Sequence, residues 1–230
     1  RFPGQWFQIE SGLSYNWHRH YDATTGRYSQ ADPLGFADGP SLYAYVGGNP
    51  IGRMDSSGLW CASSGGMTTC SYPGGPSFRL PTPAGFGDFT GKELLYHNYD
   101  VQVPIGNADP NCVLQSIINH PTPGNPSAAT LSGTMNNATI LGAPNPVTSY
   151  LTSDLNTGAQ IVVNMTRNDS LLAWGYVARM VSNGMAHTYG EGTNWMQSDL
   201  ITGPGFQEFM NKRVWADQMR SMVGQCGCGK

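Results

Sequence analysis

Glycine and proline interrupt this chain so often that helices have few places to form: they supply 30 and 16 of its 230 residues. Glycine inside a regular element costs backbone entropy, and proline removes a backbone donor. Loops and turns must therefore carry much of the length of such a chain. One window escapes. In "GFQEFMNKRVWADQMRSMVG", Phe206, Phe209, Met210, Val214 and Met222 follow helical spacing. Glu208 and Lys212 stand four apart as an ion pair, and Gly224 reads as the terminator. The Met and aromatic stripe reads as a core-facing side.

A second, shorter helix is marked in "ADPNCVLQSIINHPTP". Asp109 suits the cap, Pro110 the first helical position and His120-Pro121 the stop, while Val113, Leu114, Ile117 and Ile118 share one face. A strand is expected around Val101–Ile105. Two hairpins follow from "SYLTSDLNTGAQIVVNMT", turning at "DLNTG", and "AWGYVARMVSNGMAHTYGEGT", turning at "SNG". The Asn-, Thr- and Pro-rich stretch from Thr122 to Thr148 reads as irregular, and residues 60–91 read as an extended Gly/Pro/Ser-rich connector.

The first 59 residues differ in kind. "GQWFQIESGLSYNWHRHYD" alternates aromatic and polar side chains, with turns at "ESGL" and "ATTGRY", as in a β-meander. The anchors "RFPGQ", "ESGL.YN", "RHYD...GRY", "DP.G", "LYAYV..NP" and "D..GL" occur in that order. Together they closely resemble the end of the core of Rhs (rearrangement hotspot, YD-repeat) proteins. Phe36 stands where that pattern usually has Leu, and Pro40-Ser41 where it has Leu-Asn. The resemblance covers residues 1–59 and implies a β-shell of YD repeats enclosing a variable C-terminal toxin. It further implies self-cleavage by an aspartyl pair, Asp32 and Asp55, at the Leu59–Trp60 bond. Two carboxylates held close cannot both ionise, so one stays protonated and polarises the scissile carbonyl while the other activates water. The competing reading is that Asp32 and Asp55 merely cap the turns at "ADP" and "DSSG". The resemblance also implies three partners, namely the rest of the shell, a secretion apparatus and a cognate immunity protein. The effector would be secreted and delivered into a target cell. No cofactor is implied.

The family does not dictate the effector's chemistry, so the residues must. A net charge of −3, from 12 basic and 15 acidic residues, argues against nucleic acid, whose binders carry basic stripes. No apolar run reaches the ~18–20 residues of a membrane span. A membrane-perturbing toxin and a nuclease stand as alternatives. The opening "RFPGQW", without Met or signal peptide, reads as the interior of a longer chain. Among five cysteines, Cys61 and Cys70 can close a short loop, as can Cys226 and Cys228, and none has zinc-site spacing.

Cys112 falls in the first turn of the short helix, where unpaired N–H groups favour a thiolate. With His187 as base and Glu191 or Asp199 as orienting acid, the order Cys, His, acid is that of papain-like hydrolases. This gives the leading expectation, a cysteine-type hydrolase or transferase without metal. The alternative for Cys112 is a buried core thiol. His187 with Glu191 can also form an acid–base pair with "YGEGT" backbone donors, or "GEGT" is a plain turn, and His97 with Asp100 is a further pair. The fold class expected is α+β: a strand-rich Rhs core end (1–59), the connector (60–91) and a small α+β effector (92–230) with two hairpins and a C-terminal helix. Mass spectrometry of the expressed chain is expected to find a fragment beginning at Trp60, absent from Asp32→Asn and Asp55→Asn. An uncut parent chain contradicts the aspartyl reading.

Overall fold

The computed structural model describes residues 6–16, 19–31, 41–45, 61–72, 75–87, 89, 95–124, 126–140, 142–193 and 212–227. The first strands form the expected meander. β1 (Trp6–Gln8), β2 (Leu13–Asn16), β3 (Arg19–Asp22) and β4 (Arg27–Tyr28) pair in sequence order. The turns at "ESGL" and "ATTGRY" place Gly12 and Gly26 at φ 69° and 68°, a region open to glycine at little cost. Tyr21, Tyr28 and Tyr45 bury one another. The Arg19 guanidinium lies 3.7 Å above the Tyr28 ring.

The second half is built on a six-stranded antiparallel sheet. Its strands are β8 (His97–Pro104), β9 (Thr134–Ile140), β10 (Ala143–Ser153), β11 (Gln160–Thr166), β12 (Gly175–Ser182) and β13 (Met185–Gly192). The order across the sheet is β8-β13-β12-β11-β10-β9. Both expected hairpins are present, as β10–β11 and β12–β13. The second turns at Asn183 and Gly184, both at positive φ (50° and 73°), as an Asn-Gly hairpin turn requires. The strand expected at Val101–Ile105 is the C-terminal half of β8.

Two expectations fail here. The stretch 122–148 contains β9 and the start of β10 rather than irregular chain. Pro144 and Pro146 hid the strand, yet β10 meets β11 only from Val147 onward. The prolines therefore sit where one side of the strand needs no donors. The presumed connector likewise folds. β5 (Cys61–Ser64), β6 (Met67–Ser71) and β7 (Ser77–Pro81) form a three-stranded sheet. A disulfide joins Cys61 to Cys70. Phe78, Leu80, Phe86 and Phe89 pack with Tyr150, Ile161, Val163 and Tyr176 of the large sheet. A buried Asp154 accepts from the Ser77 backbone N–H at 2.9 Å and pins the two sheets together.

The opposite face carries the helices. α1 (Pro110–Asn119) has the expected cap, with Asp109 accepting from Asn111 N and Pro at the helix start. The C-terminal element begins as a π-turn at Lys212–Ala216 and continues as α2 (Asp217–Gly227). It runs past Gly224, which therefore does not end it; Phe206, Glu208, Phe209 and Met210 lie outside the described residues. Val113, Ile117, Val162, Ala186, Met219 and Met222 make the core between helices and sheet. Cys112 is bonded to Cys226, 114 residues away, and so ties α1 to α2. Closing a loop of that length restrains the unfolded chain by about 4–5 kcal/mol on the chain-entropy argument. Cys226→Ser is therefore expected to melt several degrees below the oxidised parent, and above the reduced parent, which also loses Cys61–Cys70. Equal melting of the oxidised pair contradicts this.

Candidate functional site

The structure separates the residues grouped for a papain-like centre. Strand β13 alternates. Ala186 belongs to the helix-side core and Thr188 reaches Met219 of α2, whereas Tyr189 belongs to the core under the three-stranded sheet. His187 and Glu191 share the face of Tyr189. Cys112 lies in the helix layer, so the sheet stands between it and His187. Its sulfur is also held in the disulfide to Cys226, which leaves no thiolate to attack. The Cys112–His187 pair is corrected on both grounds. Asp32, Asp55, Leu59, Trp60 and Asp199 lie outside the described residues.

What the structure assembles instead is a polar band along β8 and β13. The register sets Gln102 opposite His187, Asp100 opposite Tyr189 and Asn98 opposite Glu191. Asp100 thereby reaches His187 diagonally, with Oδ1 3.8 Å from Nδ1. The Tyr189 hydroxyl is 3.0 Å from the same nitrogen, and the two rings lie nearly parallel at 5.3 Å. Gln102 donates to the other Asp100 oxygen. Nε2 of His187 is buried and has no hydrogen-bond partner among the described residues. With hydrogen on Nδ1, the ring is oriented by the phenol and carboxylate, and Nε2 is left as a free lone pair. Burial, then Asp100 and Asp154, push the Tyr189 phenol up to about 12, so it stays protonated at neutral pH.

Glu191 is a different kind of group. It is 3% exposed, and Tyr96 and Tyr176 donate to its two oxygens at 2.5 and 2.6 Å. Burial, followed by the Glu191 charge, raises both phenols. With both oxygens engaged, this carboxylate anchors hydroxyls rather than serving as a free base. It stands four residues along the strand from His187, roughly 13 Å, so the expected acid–base pair is not in contact. His97 and Asp100 are also parted, because they fall on opposite faces of β8. Asp100 serves His187 instead. No periodicity in the sequence carried that signal, since it arises from the β8–β13 register.

On the helix side of the same strands lies a cleft lined by Tyr99, Thr122, Asn145, Asn164, Thr166 and Trp215 among others. Gly175 lines it, whereas the "YGEGT" glycines Gly190 and Gly192 serve close packing. A Cβ on Gly190 would run into the Tyr99 ring, and one on Gly192 would meet the Trp174 carbonyl at 2.8 Å. Those glycines sit in a strand that needs close approach, and not in a turn. Asn164, which lines the cleft, belongs to a hydrogen-bonded chain. Asn136 donates to Ser149, Ser149 to Asn164, and Asn164 to the Pro121 carbonyl. Among the described residues no three His, Cys, Asp or Glu side chains gather as metal donors.

No family model matches the chain, and no solved structure does so either. Curated relatives do. The chain is 48% identical over 59 residues, 26% of its length, to "Toxin protein Tse5" of Pseudomonas aeruginosa, of which this covers 4%. It is 36% identical over 86 residues, 37% of the chain and 6% of the relative, to "Double-stranded DNA deaminase toxin A" of Burkholderia cenocepacia. It is 26% identical over 208 residues to "tRNA nuclease WapA" of Bacillus subtilis, covering 84% of this chain and 9% of that protein. The chain thus spans under a tenth of the length of these three relatives. The first match has the length of the Rhs-like stretch, the second is 27 residues longer, and the third takes in most of the chain.

The tyrosine–Glu191 cluster makes a testable demand. Tyr176→Phe removes one of two donors to a buried carboxylate and is expected to cost about 1–3 kcal/mol in denaturant unfolding. Tyr189, raised in the folded chain, contributes stability that is whole below about pH 10, its unfolded value, and is lost as pH climbs towards about 12. Tyr189→Phe is expected to flatten that part of the stability profile.

Proposed function

We propose, for a chain that carries an Rhs-related C-terminal segment, that residues 1–59 close a toxin shell and that the remainder is a nuclease-type effector with His187 as general base. The observation that carries the chemistry is the His187 ring itself. It is oriented at Nδ1 by Tyr189 and Asp100 and bears a buried, unpartnered Nε2. The fixed ring orientation meets one requirement of a general base, and access of substrate to the buried Nε2 requires the packing over it to open. The likeness to a protein named a tRNA nuclease, extending through most of the chain, supports RNA as the substrate. The 59-residue match, with the length of the Rhs-like stretch, informs the shell and not the effector. The acidic balance argued the other way, but net charge is a property of the whole surface and does not forbid a local site.

In this reading Nε2 takes the proton of a ribose 2′-hydroxyl. The oxygen attacks phosphorus, the bond to the 5′-oxygen breaks, and the departing oxygen takes up a proton. Asp100 steadies the imidazolium that forms. Cleavage of Leu59–Trp60 by Asp32 and Asp55 releases the effector, an immunity protein restrains it in the producing cell, and delivery takes it into a competitor. A cysteine-type hydrolase is set aside, since Cys112 has no free thiol. Among the described residues no helix is long and apolar enough to cross a membrane.

Expression of the whole chain in a sensitive host is expected to arrest growth and fragment cellular RNA. His187→Ala is expected to lower RNA cleavage by about 10²–10⁴-fold, the usual share of a general base. Asp100→Asn should fall between parent and His187→Ala, while Cys112→Ser retains cleavage. Undiminished cleavage by His187→Ala overturns the assignment.

A further inference from the structure

The cleft between the sheet and the helices stands apart from His187. It lies behind the same strands, and neither Asp100 nor His187 lines it. Its walls combine three properties. Two aromatic side chains, Tyr99 and Trp215, border it with Val147 and Val177. Two polar side chains that line it, Asn145 and Thr122, are 3% and 1% exposed. Each carries a buried atom without a partner among the described residues, Oδ1 of Asn145 and Oγ1 of Thr122. A buried amide oxygen or hydroxyl left unmatched costs about 1–3 kcal/mol, so two in one cleft call for an external partner.

The Asn145 amide is already held in one orientation, because its Nδ2 donates to the Ala143 carbonyl at 3.1 Å. The free oxygen therefore presents an acceptor and asks for an N–H or O–H. The Thr122 hydroxyl can give or receive. The charge lining the cleft belongs to Glu191, whose oxygens are taken by Tyr96 and Tyr176. Among the described residues no cationic side chain lines it, which disfavours a phosphate or carboxylate ligand. Aromatic walls, an oriented acceptor and no free charge suit a flat, neutral ring with donors on its edge. Gly175, which lines the cleft, contributes no side chain there.

We propose that this cleft is a binding site for a neutral nitrogen heteroaromatic ring of the nucleobase type. Asn145 Oδ1 accepts from a ring or exocyclic N–H, Thr122 Oγ1 bonds a second edge atom, and Tyr99 and Trp215 supply apolar contact. The proposal is independent of the His187 reading, since it uses other residues on the other face of the sheet. It holds even if the effector proves not to cleave RNA.

The test titrates the whole chain carrying His187→Ala, which silences the proposed base, with adenosine, guanosine, cytidine and uridine in turn. Binding is followed by calorimetry. Saturable binding of at least one nucleoside is expected, weakened roughly tenfold by Thr122→Val and by Asn145→Leu, as expected for one lost hydrogen bond in a dry site. Thermal melting of each variant checks folding, and Thr122→Val, nearly isosteric, keeps the test alive should Asn145→Leu unfold. Absence of binding by all four nucleosides at millimolar concentration overturns the proposal. So does binding that both folded variants leave unchanged. Loss of RNA cleavage in a separate His187→Ala assay bears only on the catalytic reading.

Discussion

Arg179 holds the helix layer onto the sheet. It rises from β12, is fully buried, and donates from Nη1 to the carbonyls of His120 and Pro121 at 3.2 Å each. Those carbonyls lie at the C-terminal end of α1, where the helix lacks internal partners and carries the negative end of its dipole. The guanidinium also lies 5.5 Å from the Trp215 ring and reaches Met222 of α2. Burial draws its pKa down to about 9, which still leaves it charged at neutral pH. One cation therefore fixes the end of α1, the π-turn and α2 against a single strand, and the Cys112–Cys226 bond closes the same arrangement from the far side.

The consequences reach both faces of the sheet. Once His120-Pro121 is fixed, the Pro121 carbonyl also accepts from Asn164, and Thr122 is set at the cleft wall. On the other side, the three-stranded sheet covers Tyr176 and Tyr189 with aromatic side chains, Phe78 edge-on to Tyr176 and Tyr72 tilted on Tyr189. That cover keeps water from the hydroxyl–carboxylate contacts and makes them stronger. Strand β13 thus presents His187, Tyr189 and Glu191 to one environment and Thr188 and Gly190 to another, the simple result of a side-chain period of two.

Much of the local structure was legible in the chain. Asp109-Pro110 announced α1, Asn183-Gly184 announced a hairpin, and the aromatic alternation announced the N-terminal meander, because each depends on neighbours in sequence. Errors arose where tertiary context overruled a local rule. Prolines 144 and 146 are tolerated because one side of β10 is unpaired there, and residues 61–81 are strands because a larger sheet buries their aromatic side chains. The site fared similarly. His187 and Glu191 were identified by type, but their partners were not, since Asp100, Tyr189, Tyr96 and Tyr176 come together through strand register and packing.

Sequence by itself determined the turns, the caps, the strand-rich character and the Rhs-related segment, all of them set by residue identity and short spacings. Packing between distant segments set Cys112 against Cys226 rather than His187, Asp100 rather than Glu191 against the histidine, and Gly190 against the Tyr99 ring. The reason is physical: a strand's alternation says that two faces exist, but which neighbour lies across each face is fixed by hydrogen-bond register and buried packing between segments far apart in the chain.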